Sequence, residues 1–239
     1  MKIIYKPYLA DEASQRIDSY LDKLGEDKTI DFLNSVPSTD DNMDPVSAIR
    51  VTLVCVEFEF LSKDKDGSDE NRQWKQMVAT RTLVGELLMV MMDSNSCRDI
   101  EVVGNYIYGI FSTPFKSQVD EVLETLAKVN SVRDLVALKL NGKGIEAPKM
   151  RIGADYGTVL RTTVKQEKDE FDHLWNGTRF KHLSALVDRQ MEDDEDIVVT
   201  ERFKKNLKED YRKYMIAKNG KYVANVRNIA LKKWIEEHE

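Results

Sequence analysis

Residues 102–111 read VVGNYIYGIF, two short apolar runs joined by Gly104 and Asn105. Both residue types tolerate positive φ, so the pair reads as a tight hairpin turn between two strands. Upstream, residues 72–92 have the spacing of a long amphipathic helix. Downstream, SQVDEVLETLAKVNSVRDLVALKL at 117–140 is a second long helix, with Val119, Val122, Leu123, Leu126 and Val129 as its buried stripe. Farther out on either side lie AIRVTLVCVEFEF at 48–60, continuously apolar at its centre like a buried strand, and MRIGADYGTVL at 150–160, which reads as strand, Gly turn, strand. The order strand, helix, hairpin, helix, strand pair implies an α+β fold with helices on one face of a mostly antiparallel sheet.

The flanks are simpler. Residues 10–24 place Ile17, Leu21 and Leu24 at helical spacing with Gly25 as a stop, and a shorter helix is expected over 28–34. SVPSTDDNMDP at 35–45 is a turn-rich linker, KDKDGSDEN at 63–71 a charged loop, and NGKG at 141–144 a turn. Residues 178–190 look helical, 192–196 are an acidic loop, and IVVT is a short strand whose Thr200 caps a helix ERFKKNL. KYVANV at 221–226 is another strand, before a last helix. This divides the chain into an N-terminal helical extension and linker (1–45), a main domain (46–205) and a C-terminal strand and helix completing it (206–239). The core pattern is that of a ferredoxin-like βαββαβ domain.

Composition narrows the function classes. With 41% hydrophobic and 33% charged residues, the chain has the make-up of a globular protein with a sizeable core. The net charge of −6 argues against a nucleic-acid surface as the main function. The most apolar stretch, LVGELLMVMM at 83–92, is interrupted by Glu86 and is shorter than the roughly 20 residues a membrane helix needs, so no membrane partner is expected. MKIIYKPYLADEAS has no signal-peptide core. Cys55 and Cys97 lack metal spacing and read as reduced thiols, which fits a cytoplasmic location.

Three segments resemble the class III nucleotidyl cyclases. The strand VTLVCVEF ends where that family carries its first metal Asp. VVGNYIYGIF is similar to its Ile-Gly-Asp hairpin. RIGADYGTVL, followed by DHLWNGTRFKHLSALVD and DIVVTERF, resembles its Gly strand, Trp-x-Gly segment, following helix and closing strand. The phrasing of GIFSTPFKSQVDEVLETLAKVNS, RIGADYG and YVANVRNIALKKW resembles, more specifically, the bacterial pyrimidine cyclases of the Pycsar antiphage system.

The resemblance implies a chemistry. Cyclisation of a nucleoside triphosphate is attack of the ribose 3′-OH on the α-phosphate, assisted by two Mg²⁺ or Mn²⁺ ions. The family's two metal carboxylates map onto Glu57 and Asn105, with Glu59 two residues on as a substitute ligand on the same strand face. Glu57 keeps its charge but is a methylene longer, and Asn105 has lost a full negative charge. The Asn and Arg that the family supplies from the partner chain map onto Lys181 and Ala185, with Arg179 as a nearby cation. Trp175 and Gly104 fall at nucleotide-binding positions by the same mapping. Losing one transition-state electrostatic contact commonly costs ~10²–10³ in rate. All four mapped positions depart from the pattern, so the expectation is a catalytically impaired, pseudoenzyme-like relative. It would form a homodimer, or a heterodimer with a related cyclase, and bind a nucleoside triphosphate. The alternatives are a divergent active cyclase making cyclic UMP or cyclic CMP, and a dimeric scaffold with a vestigial cleft. Each position also has a plain structural explanation: Asn105 suits a turn, Arg179 and Lys181 suit a solvated helix, and Trp175 suits a core.

Overall fold

A computed structural model of the chain describes residues 9–22, 30–37, 46–60, 70–165, 171–188 and 197–238. In chain order the elements are α1 (Ala10–Asp22), β1 (Asp31–Leu33), β2 (Val46–Glu59), α2 (Glu70–Met92), β3 (Cys97–Val103), β4 (Tyr106–Ser112), α3 (Lys116–Asn141), β5 (Lys149–Lys165), β6 (Phe171–Asn176), α4 (Thr178–Asp188), β7 (Ile197–Val199), α5 (Glu201–Asn206), α6 (Glu209–Arg212), β8 (Ile216–Lys218), β9 (Lys221–Ala224) and α7 (Ile229–Glu236). One sheet runs β3-β4-β2-β5-β7-β9-β8, with β1 added beside β2 and β6 beside β5. The stretch β2-α2-β3-β4-α3-β5 is the expected βαββαβ unit, with β2 and β5 adjacent at its centre.

Central strand β2 explains its own sequence. It pairs with β5 along its whole length and with β4 from Val51 to Glu57. Both of its faces are covered, which is why it reads as an unbroken apolar run. Val54, Val56 and Phe58 pack with Leu83, Leu87, Met91 of α2 and Val122, Leu126, Val129 of α3. Ile49, Val51, Leu53 and Cys55 point the other way, into a second core completed by Leu183 and Val187 of α4. Helices therefore lie on both faces of the sheet, not on one as the element order suggests. The five residues of the expected α3 stripe are all buried.

Other expectations are corrected. MRIGADYGTVL contains no turn: it lies within the single 17-residue strand β5. Residues 31–33 form a short strand parallel to β2, not a helix. The α1 residues Ile17 and Leu21 are exposed, and Ala13 is buried instead. Leu24, Gly25, residues 63–69 of the charged loop and the acidic run at 192–196 lie outside the described residues, while Glu70 and Asn71, expected in that loop, begin α2. Thr200 does cap α5, accepting from the Phe203 N–H at 3.2 Å. At the opening hairpin, Gly104 has φ +62° while Asn105 is not left-handed. Positive φ at the first turn position alone is the mark of a II′ turn, where Gly is required first.

Glu121 ties the α2–β3 turn to α3, accepting from Ser94 Oγ at 2.8 Å and Ser96 Oγ at 2.7 Å. Partial burial works to raise this carboxyl, but the Ser96 and Ser94 bonds prevail and hold it below the ordinary carboxylate value. Its stabilising effect is therefore fully present above the ordinary Glu value and is lost as pH falls through the lowered one. Glu121→Gln should cost stability at pH 7 in urea titrations, and the gap to the native chain should shrink toward pH 3. A gap that does not change with pH would show that the carboxylate charge is not what secures the turn.

Candidate active site

Register builds the cluster at the C-terminal end of β2. Glu57 lies directly opposite Tyr106 of β4 on one side and Arg151 of β5 on the other. Directly opposed residues in a sheet share a face at Cβ separations of about 5 Å. All three side chains therefore stand together on the α4 side, one step beyond Cys55. Glu57 is only 7% exposed, and both of its oxygens are taken. Oε2 accepts from an Arg151 Nη at 2.8 Å. Oε1 accepts from Asn105 Nδ2 at 3.3 Å and faces the Tyr106 hydroxyl at 3.2 Å. The second Nη of Arg151 donates to Glu59 Oε1 at 2.7 Å. One planar guanidinium thus spans both glutamates, the geometry for which Arg is better suited than Lys.

The cluster extends to the last residue of α4. Tyr106 donates to Asp188 Oδ1 at 2.8 Å. A phenol has one proton, so Asp188 and Glu57 compete for it. Loss of hydration, then the bond to Asp188, push the Tyr106 phenol well above its usual range. Behind it Tyr106 and Tyr108 stack at 6.1 Å, and Tyr108 meets Phe180 of α4 edge-on at 5.5 Å. Burial pushes Tyr108 up to about 12. Arg151 loses hydration too, which works against its charge, but its bonds to Glu57 and Glu59 more than compensate and raise its pKa. Cys55 and Cys97 are free thiols whose burial raises both, Cys97 to about 11, so neither is nucleophilic near neutrality.

Of the three metal-position residues named from sequence, Asn105 bonds Glu57 directly and Glu59 is joined to it only through Arg151. Of the remaining four, Arg179, Lys181 and Trp175 lie elsewhere and Gly104 sits beside Asn105 in the turn. Arg179 is held at 3.6 Å from buried Asp155, with its Nε over Gly157. Asp155 also accepts from Thr200 Oγ1 and the Tyr156 N–H. Lys181 is exposed on α4. Trp175 donates to Asp99 Oδ2 at 2.7 Å and lies 5.4 Å beneath the Arg161 guanidinium, which ties β6 to β3. Gly104 sits in an open turn with no heavy atom within 4 Å of where a Cβ would stand. Sequence reading missed Arg151, Tyr106 and Asp188. Arg151 is set against the Glu-x-Glu end of β2 only by the antiparallel register of β5, which no single stretch of sequence displays.

Two bridging divalent ions do not fit these residues as they stand. Mg²⁺ demands near-ideal octahedral oxygen coordination. Glu57 has no unoccupied oxygen, and Asn105 turns its amide N–H₂, a donor, toward it. Among the described residues no group of three or more His, Cys, Asp or Glu converges on a point that could hold a metal ion.

The architecture is similar to that of solved structures. The guanylyl cyclase Cya2 superposes with a TM-score of 0.60 over 77% of this chain and 95% of its own, at 12% identity. A class III adenylyl cyclase-like ATP-binding protein from Pseudomonas aeruginosa gives a TM-score of 0.66 over 92% of this chain and 49% of its own, at 11% identity. The chain has the class III nucleotidyl cyclase fold. In sequence, it is 28% identical to a uridylate cyclase of Treponema porcinum over 85 residues, 36% of this chain. That match spans 29% of the relative's length. No protein-family model matches the chain. Among the described residues, no helix of this cyclase fold is long and apolar enough to cross a membrane.

Proposed function

We propose that this chain is a pyrimidine-cyclase-like protein of bacterial antiphage signalling whose cyclisation chemistry is impaired, and which acts by dimerisation or by binding nucleotide. The observation that carries the reading is the Arg151 fork across Glu57 and Glu59. Two-metal cyclisation needs carboxylate oxygens free for hard cations, which lower the pKa of the attacking alcohol and neutralise the phosphoryl oxygens. Here a side-chain cation already takes those oxygens, and the amide of Asn105 adds no charge. Ala185, the counterpart of the transition-state Arg, cannot donate a hydrogen bond. The partial match to a uridylate cyclase supports pyrimidine nucleotides as the ligand class. In a head-to-tail dimer one chain supplies the metal positions and the other the Asn and Arg positions. Pairing with an active cyclase would thus disable both shared sites, and this chain acts as a restraint or sensor.

A second reading draws on the same match and on the retention of a buried Glu57. It is conversion of UTP or CTP to the 3′,5′-cyclic nucleotide with Mg²⁺ or Mn²⁺. Incubating the purified protein with ATP, GTP, CTP and UTP in turn, each with Mn²⁺, separates the two. No cyclic product is expected by chromatography and mass spectrometry. A pyrimidine product that Glu57→Ala abolishes would establish the second reading instead. In the absence of turnover, calorimetry with nucleoside triphosphates distinguishes a nucleotide binder, which gives saturable heat, from a dimeric scaffold, which gives none.

A further inference from the structure

We infer that Arg151 is the resident cation of this cleft, excluding divalent metal by holding the carboxylate oxygens a metal would need; the inference rests on reading the Glu57 end of β2 as a former metal site. The pairing is built into the fold. Arg151 stands opposite Glu57 in the β2–β5 register, so no side-chain search is needed to bring them together. The ion pair is largely shielded, with the Arg151 side chain 15% and the Glu57 side chain 9% exposed. Its two contacts, at 2.8 and 2.7 Å, are charge-assisted and leave from one rigid plane. A guanidinium does not deprotonate in proteins, so this cation is present at every working pH. Asn105 completes the exclusion. A carboxylate accepts only, so the Asn105 amide must turn its N–H₂ toward Glu57 and its carbonyl oxygen away.

The same geometry states what removal of Arg151 does. Glu57 and Glu59 are two residues apart on one strand, so both project from the same face. Without the guanidinium they are two carboxylates on one strand face with no cation between them. That is a hard-oxygen donor set of surplus negative charge, the kind that Mn²⁺ and Mg²⁺ prefer. A change that deletes a positive charge thereby creates cation affinity, whereas restoring the Asp at position 105 alone leaves the guanidinium in place.

Mn²⁺ alone, followed by loss of its free-ion electron paramagnetic resonance signal, is the probe. The native chain should show no Glu57-dependent uptake. Arg151→Gln should bind Mn²⁺ at least about tenfold more tightly, and Arg151→Gln combined with Glu57→Gln should lose that gain. If Arg151→Gln does not melt cooperatively, Arg151→Lys takes its place. A lysine head reaches one carboxylate at a time, so a smaller gain of several-fold is expected. Glu57-dependent Mn²⁺ binding by the native chain would overturn the inference, as would a folded Arg151 variant with no gain. These outcomes are separate from those for catalysis. Cyclic product formed in EDTA would defeat the impaired-enzyme reading and leave the role of Arg151 standing, while Mn²⁺ binding without product would do the reverse.

Discussion

Glu57→Ala lowers the stability of the fold by about 2–4 kcal/mol, a large share of what a domain of this kind has. The reason is the residue left behind. Arg151 is mostly shielded and loses its better-buried partner, keeping only Glu59, which is 36% exposed. Breaking a buried pair by removing one member typically costs more than the pair contributed, because an uncompensated charge remains. Asn105 and Tyr106 lose the acceptor at Oε1 as well. The sign of the effect is the diagnostic point. In a site built for metal, two carboxylates repel each other until the ions arrive, so removing one from the metal-free protein is neutral or stabilising. Urea denaturation measures this directly: the midpoint should fall while the slope stays constant. Glu57→Gln keeps the shape and one acceptor oxygen and should fall between the two. An unchanged or raised midpoint for Glu57→Ala would mean that Arg151 does not depend on Glu57.

How much of this was legible depends on whether one segment or two had to be read. Strand β2, the stripe of α3 and the Gly104 turn follow from periodicity and from φ tolerance, both properties of a single stretch. The placing of Glu57, Glu59 and Asn105 at one end of the sheet comes from the family resemblance, since Asn105 meets Glu57 across 48 residues of sequence. Arg151 was not legible, because its role depends on the register between strands 94 residues apart in sequence. Helix α1 shows the opposite failure. Ile17 and Leu21 are spaced as a buried face yet remain exposed, so an amphipathic pattern named a helix correctly and its packing wrongly. Residues 31–33 are too few for any period to show, and only pairing with Ser47–Ile49 makes them a strand. Trp175 falls at a nucleotide-binding position by resemblance and suits a core by its chemistry; its indole N–H donates to Asp99, as a partly buried Trp generally needs.

The glycines of RIGADYG carry the sharpest misreading, and they yield the second large effect. Glycine punctuates chains, so the sequence there suggests a turn. In β5 the backbone continues straight through, and Gly153 has no left-handed φ. Glycine inside a strand also marks a close approach, and that is its role here. A Cβ at position 153 would stand 2.5 Å from Val187 Cγ2 and 3.1 Å from Leu183 Cδ1. Both neighbours are fully buried on α4, and valine has almost no rotamer freedom with which to retreat. Gly153→Ala must therefore lift α4 off the sheet, at about 1–3 kcal/mol, and Gly153→Val at more. The same lift strains the Tyr106–Asp188 bond, because Asp188 is the residue after Val187 and ends the helix. Val187→Ala alone removes two buried methyl groups and is itself destabilising. Combined with Gly153→Ala it makes room for the new methyl, so the double variant should be more stable than the sum of the single losses predicts. The coupling should be about 0.5–3 kcal/mol in a double-mutant cycle followed by urea denaturation. Strict additivity would mean that α4 is not seated on Gly153. Coupling of the expected sign would show that the sheet-to-helix distance behind Glu57 is set by the missing side chain of one glycine.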